Sequence, residues 1–147
     1  MFMQNDVKVV DGRDKVLGRV ASQVAKMLLS GDKVVLINAE KLFVSGHTRF
    51  LTENYKQRLD FKDRANPEHS PYWSRRPDLF VKRVVRGMLP YKKPKGKAAF
   101  RMLKVYSGVP EAYKGTKPVE VSSKNQSQIF EDTIYVQELM KKLGFNN

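Results

Sequence analysis

Apolar and polar positions alternate between two periods along the chain. Val7 to Val10 forms a short apolar-rich run closed by Asp11-Gly12, which predicts a strand and a turn. Leu17, Val20, Ala21, Val24, Met27 and Leu28 then recur at helical spacing, and Gly31 follows as a C-cap. Val34-Val35-Leu36-Ile37 is an unbroken aliphatic run, the mark of a strand buried on both faces. Strand, helix and strand within residues 7–37 make a βαβ unit, so the two strands are expected to be parallel. Leu42-Phe43-Val44 is a candidate third strand, closed by Ser45-Gly46.

The pattern weakens and then returns. A helix is expected over Thr48 to Phe61, with Leu51, Tyr55 and Leu59 inward. Residues 64–77, RANPEHSPYWSRRP, contain three prolines and no period, and read as an exposed loop. Pro77 suits the first position of the next helix, Asp78 to Leu89, which places Phe80, Val81, Val84, Val85 and Met88 on one side and is stopped by Pro90. A further helix over Lys97 to Tyr106 turns Ala99, Met102, Leu103 and Tyr106 inward, and Gly108 and Pro110 end it. Residues 114–128 are polar and are expected to run over the surface. Ile129 to Tyr135 reads as a strand, and Val136, Leu139, Met140 and Leu143 as a short helix capped by Gly144. The whole forms one domain over residues 1–147, with 112–128 as a surface linker and 129–147 as a C-terminal strand and helix.

Charge changes the picture. The 147 residues carry 28 Lys and Arg against 15 Asp and Glu, a net charge of +13. Between Arg75 and Lys104 stand eleven basic residues: Arg75, Arg76, Lys82, Arg83, Arg86, Lys92, Lys93, Lys95, Lys97, Arg101 and Lys104. The only acid there is Asp78. At 100° per residue, Lys82, Arg83 and Arg86 oppose Phe80, Val84 and Met88, and Lys97, Arg101 and Lys104 oppose Ala99, Leu103 and Tyr106. Each helix thus keeps an apolar face for the core and a basic face for an external partner. The connection between them, MLPYKKPKGK, is basic as well, and its Gly and Pro let the backbone pass close to that partner. A merely solvated face mixes signs, and this one does not. An interfacial membrane helix needs a Trp-rich apolar stripe that these helices lack. A polyanion remains, and nucleic acid fits best, since phosphates would relieve the repulsion and release counterions. Tyr72 and Trp73, beside Arg75 and Arg76, suit stacking on unpaired bases, though Trp73 suits equally a core lid over the sheet.

Other chemistry finds little support. Without cysteine there is no disulfide, thiolate metal site or cysteine nucleophile. No apolar run approaches the roughly 18–20 residues that span a bilayer, and the N-terminus does not read as a secretory signal, so a cytoplasmic protein is expected. Gly12 and Gly18 flank the turn DGRDKVLGRV, which matches neither phosphate-loop pattern, so both read as turn or close-packing glycines. His47 follows Ser45-Gly46 with no acid to orient it, and reads as a loop histidine at the RNA rather than a general base. His47 and His69 do not make a metal site, and Glu40, Glu53, Asp60 and Asp63 sit beside Lys or Arg, where surface pairing explains them.

Two blocks carry a resemblance. VVDGRDKVLGRVASQVAKMLLSGDKVVLINAEKLFVSG, residues 9–46, resembles the N-terminal block of large-subunit ribosomal protein thirteen, the universal L-thirteen family. RRPDLFVKRVVRGMLPYKKPKGKAAFRMLKVYSGVP, residues 75–110, resembles that family's central block, RGMLP followed by a basic turn. The linking SPYWSRRPD and the tail TIYVQELMKKLG resemble the archaeal branch. The resemblance implies a three-layer α/β/α fold around a four-stranded parallel sheet, with a basic helix-turn-helix hairpin projecting to RNA. It also implies a structural role on large-subunit ribosomal RNA in assembly and translation, with neighbouring ribosomal proteins as partners. No catalysis, cofactor, membrane or homo-oligomer is implied. By matching positions, Arg13, Lys15, Arg19, Arg86 and the run from Lys92 to Arg101 are the implied RNA contacts, joined by the other basic residues above, His47 and Trp73. A structural ribosomal protein and an RNA-binding regulator acting off the ribosome both stay open. A nucleotide-dependent enzyme is the third and weakest reading.

Overall fold

The computed structural model describes residues 7–123 and 132–146. The expected βαβ unit is present: β1 (Val7–Asp11), α1 (Leu17–Leu29) and β2 (Lys33–Ile37), with β1 and β2 parallel and Val9 opposite Val35. The unbroken apolar run of β2 is buried on both sides. Val34 and Leu36 join the main core with Val20, Val24 and Leu28 of α1, whereas Val35 and Ile37 join Val9 in a second, smaller cluster.

Downstream, β3 (Phe43–Ser45), α2 (Thr48–Asp60), α3 (Pro77–Gly87), α4 (Pro94–Arg101) and β4 (Leu103–Val105) follow, then β5 (Thr133–Tyr135) and α5 (Val136–Lys142). The expected strand from 129 begins outside the described residues and is seen from Thr133. The expected helix over 97–106 is divided. It starts earlier, at Pro94, ends at Arg101, and gives way to β4, in which Leu103 lies opposite Val34 and Val105 opposite Leu36. Ala99, Leu103 and Tyr106 fit a helical period, but Leu103, Lys104 and Val105 also fit a strand's alternation, and pairing with β2 decides it. Lys104 is therefore an exposed strand residue and does not continue a helical stripe from Lys97 and Arg101. In α3, Phe80, Val81 and Val85 are buried as expected, but Met88 is 42% exposed and Leu89 takes the inward place at 6%. The helix has ended at Gly87, so the 100° count no longer applies to Met88.

Two features of the expected sheet are corrected. Three strands, in the order β1-β2-β4, form the parallel sheet, while β3 and β5 pair with each other, antiparallel, in a separate ribbon. A parallel bridge, Val16 to Phe43, and a hydrogen bond donated by the Tyr135 hydroxyl to Asp14 Oδ1 at 2.8 Å tie this ribbon to the β1–α1 turn. The cause lies at Asn38, buried with φ 55° and donating its side-chain amide to Asp11 Oδ1 at 2.9 Å, which turns the chain out of β2. The second correction concerns layers. Residues from all five helices pack into the main core. The opposite cluster is covered instead by Tyr106, Val109 and Tyr113 from a segment that is irregular except for one 3-10 turn, Glu111–Tyr113. That segment continues across the sheet edge, where the Val119 N–H donates to Val9 O at 2.7 Å and Val121 is buried. Gly12, one of the two turn glycines, is a close-packing residue: a β-carbon there would lie 3.0 Å from Leu42 Cγ, and its N–H already donates to Ile37 O. Nothing lies that close to Gly18.

Candidate nucleic-acid interface

The basic residues of α3 are held by aromatic rings. Arg83 places its guanidinium carbon 3.5 Å from the Trp73 ring centroid and donates from Nη1 to Tyr72 O at 2.7 Å. Arg58, at the end of α2, lies over both Tyr55 and Trp73, at 5.2 and 5.3 Å. Arg86 lies over Tyr91 and Lys82 Nζ over Phe100, each at 5.2 Å, and the Tyr91 and Phe100 rings meet edge to face. Cations over aromatic faces gain about 0.5–1 kcal/mol at exposed sites. The arrangement therefore orients the charges, with Arg83 further fixed by its bond to the Tyr72 carbonyl. Among the described residues the three arginines converge on one pocket whose lining holds no carboxylate to balance them. Partial burial, and then the like charges of Arg86 and Arg58, lower the pKa of Arg83 below the ordinary guanidinium range.

The lysine-rich connection is more ordered than a flexible turn. Lys92 and Lys93 lie in it, but Lys95 and Lys97 belong to α4, whose first turn begins at Pro94, and all four are exposed. Neither a capping side chain nor an acid stands at this helix start. Positive charge at a helix N-terminus opposes the macrodipole, by about 0.3–1 kcal/mol per charge at the surface. The Gly and Pro of this stretch serve packing rather than flexibility. Gly96 is buried, and a β-carbon there would run into the Pro90 carbonyl. In an open helix Gly→Ala stabilises by about 1 kcal/mol. At Gly96 the sign should reverse, with a loss of about 1–3 kcal/mol from overpacking. Gly87, with nothing near its missing β-carbon, should show the ordinary gain. Urea melts of the two alanine variants check this: a gain at both positions would mean that α4 is not seated on the Pro90 turn.

The remaining expected residues divide. Arg75 and Arg76 precede α3 and are exposed, and Arg76 is balanced by Asp78 at 2.9 Å. Arg101 is exposed at the end of α4. Trp73 is half-buried and belongs to neither hydrophobic cluster, so it is not a lid over the sheet, and Arg83 lies against its ring. Arg13 and Lys15 stand in the β1–α1 turn and Arg19 in the first turn of α1, at the carboxyl end of the sheet, whereas α4 feeds β4 at the amino end, where Leu103 meets Val34. His47 is the N-cap of α2, exposed, 4.0 Å from Asp132, and about 16 Å along the helix from Arg58. These four lie apart from the strip on α3 and α4. Arg58 is the residue that charge counting misses. Its signal is the Tyr55–Arg58 spacing, one helical turn, just before the proline-rich loop.

Among the described residues no group of three or more His, Asp or Glu side chains is placed to hold a metal ion, and no helix is long and apolar enough to cross a membrane. The sequence profile of Ribosomal protein L13 matches residues 5–112. Large ribosomal subunit protein uL13 of Methanosphaera stadtmanae is 44% identical over 124 residues, 84% of this chain and 87% of its own. Its counterparts in Archaeoglobus fulgidus and Methanosarcina barkeri are 37% and 38% identical over 96% and 92% of this chain, and 90% and 96% of their own. The profile match and these relatives span both blocks of the resemblance and the strip between α2 and α4, and by them the chain belongs to the Ribosomal protein L13 family.

Proposed function

We propose that the chain is a structural constituent of the large ribosomal subunit, not an enzyme, and that it binds large-subunit ribosomal RNA through the strip formed by Arg58, Lys82, Arg83, Arg86 and Lys92–Lys97. On this reading it works in the cytoplasm, beside other ribosomal proteins, and supports subunit assembly. The observation that carries it is the convergence of Arg58, Arg83 and Arg86 on aromatic rings with no facing carboxylate among the described residues. An isolated protein gains nothing from such repulsion. A phosphate backbone neutralises it and gains entropy from released counterions. The two helices and their basic connection then form the RNA-docking hairpin, with each helix anchored through its own apolar face. Arg13, Lys15 and Arg19 offer a second contact at the other end of the sheet, consistent with a protein seated between RNA segments.

The test is binding of the purified chain to large-subunit RNA and its cosedimentation with large subunits at moderate salt. Stoichiometric cosedimentation with an affinity that falls as salt rises is the expected result. Tight RNA binding without cosedimentation would instead favour a regulator acting off the ribosome.

A further inference from the structure

A second feature adjoins the strip and is different in kind. Between the end of α2, the proline-rich loop and the start of α3 lies an open groove of about 750 Å³, within the range of small-ligand pockets, about 300–1,000 Å³. Its apolar walls include Phe61, Tyr72 and Leu79, which are 61%, 84% and 41% exposed. Lys62, Arg75 and Arg76 also line it, and no carboxylate does. Among the described residues Lys62 and Arg75 make no ion pair, while Arg76 is already held by Asp78. Large aromatic surface left in water next to unbalanced cations is unusual for a side of the protein with no partner.

The groove's wall is preformed. The Ser70 hydroxyl accepts from the Asp63 N–H at 2.8 Å, Asp63 Oδ1 accepts from the Ala65 N–H at 3.0 Å, and the His69 N–H donates to Asn66 O at 3.1 Å. Pro67 and Pro71 restrict the backbone further. Trp73 lies at the border of groove and strip, with Arg83 against it, which leaves Tyr72 as the more exposed of the groove's two open rings, ahead of Phe61.

We propose that this groove takes an unpaired RNA nucleotide, its base stacked on Tyr72 and its flanking phosphates at Lys62 and Arg75. This deepens the ribosomal-RNA reading and rests on it. Duplex RNA offers a backbone but no free base face, so the strip suits helical RNA and the groove suits a loop or bulge. An acidic peptide meets the cations equally well. Nucleic acid is favoured because the exposed walls are flat aromatic surfaces continuous with the strip, and because base stacking on an aromatic ring is tolerant of sequence.

Trp73 is the chain's single tryptophan, so its fluorescence reports the groove directly. The probes are an oligoadenylate hexamer, an RNA duplex of matching charge, and oligoglutamate. The variants are Tyr72→Leu and Tyr72→Trp, the exposed position making both compatible with the fold. Tyr72→Leu should weaken hexamer binding about tenfold, the share of one stacked base, and leave duplex binding unchanged. Because Tyr72→Trp adds a second fluorophore, its affinity is read by filter binding, and it should match the parent. Equal hexamer binding by parent and Tyr72→Leu would overturn the groove proposal while the strip reading stands. A Tyr72-dependent oligoglutamate signal as strong as the hexamer's would overturn it in favour of a protein partner. Failure of the parent to bind either RNA would remove both the groove and the proposed function.

Discussion

Val34→Asp should leave the chain unfolded near room temperature, whereas Val35→Asp should leave it folded and weakened. Val34 is fully buried under α1 on the central strand, with Lys8 of β1 and Leu103 of β4 as its register partners. The substitution loses about 1.5–3 kcal/mol of apolar burial, and burying a neutral carboxyl without a partner adds about 1–3 kcal/mol. The sum, on the order of 5 kcal/mol, is comparable with the whole stability of a small domain, about 5–15 kcal/mol. Ionisation is worse, so the group would stay protonated or unfold the strand. Val35 is almost as buried, at 3% exposure, but what covers it is Tyr106, Val109 and Tyr113 on an irregular segment. Such a segment parts more readily than packed helices and admits water to the carboxylate. About half the loss is expected there. Circular dichroism and urea melts of both variants read the difference. Equal losses would mean that the second face is as firmly covered as the first, and an unperturbed Val34→Asp would mean that the strand is not central.

That contrast also marks where the sequence stops being legible. The βαβ unit could be read because each element speaks in one period: an unbroken aliphatic run for β2, and six apolar positions at helical spacing for α1. Faces were harder. Val34-Val35-Leu36-Ile37 signals burial on both sides without saying what lies on either, and the irregular cover over Val35 has no period to detect. The α4–β4 boundary was hidden because Ala99, Leu103 and Tyr106 satisfy a helix while Leu103, Lys104 and Val105 satisfy a strand, and the choice depends on β2, distant in sequence. The departure of β3 from the sheet depends on the left-handed conformation of Asn38, which an Asn permits but does not announce. Of the proposed interface, α3 and the lysine run were legible from charge alone. The roles of Arg58 and Trp73 were not, since an arginine on a weakly patterned helix acquires meaning only when the loop folds its tryptophan against α3.

Replacing Lys92, Lys93, Lys95 and Lys97 together by Gln should raise stability slightly and lower RNA affinity strongly. Gln and Lys have similar helix propensity, and all four side chains are exposed, so folding has little to lose. Removing positive charge from the start of α4 relieves its opposition to the helix dipole, a gain of a few tenths of a kcal/mol per residue. Binding moves the other way. Each phosphate that is no longer neutralised should flatten the dependence of log affinity on log salt by about 0.9, the B-DNA value, so two or three such phosphates change the slope by about 2–3. The loss of affinity should then be roughly a hundredfold or more at 0.1 M salt and should vanish toward 1 M. Net charge alone predicts the same for any four lysines. The control is therefore Lys41, Lys114, Lys117 and Lys142 to Gln, which lie exposed outside the strip and should change the slope little. Arg86→Lys separates charge from geometry: a guanidinium oriented by Tyr91 forks onto one phosphate, an ammonium does not, and a clear loss at constant charge is expected. Filter binding across a salt series reads all three variants. If the lysine variant and its control shift the slope equally, the connection faces solvent and the +13 charge acts only as a diffuse field.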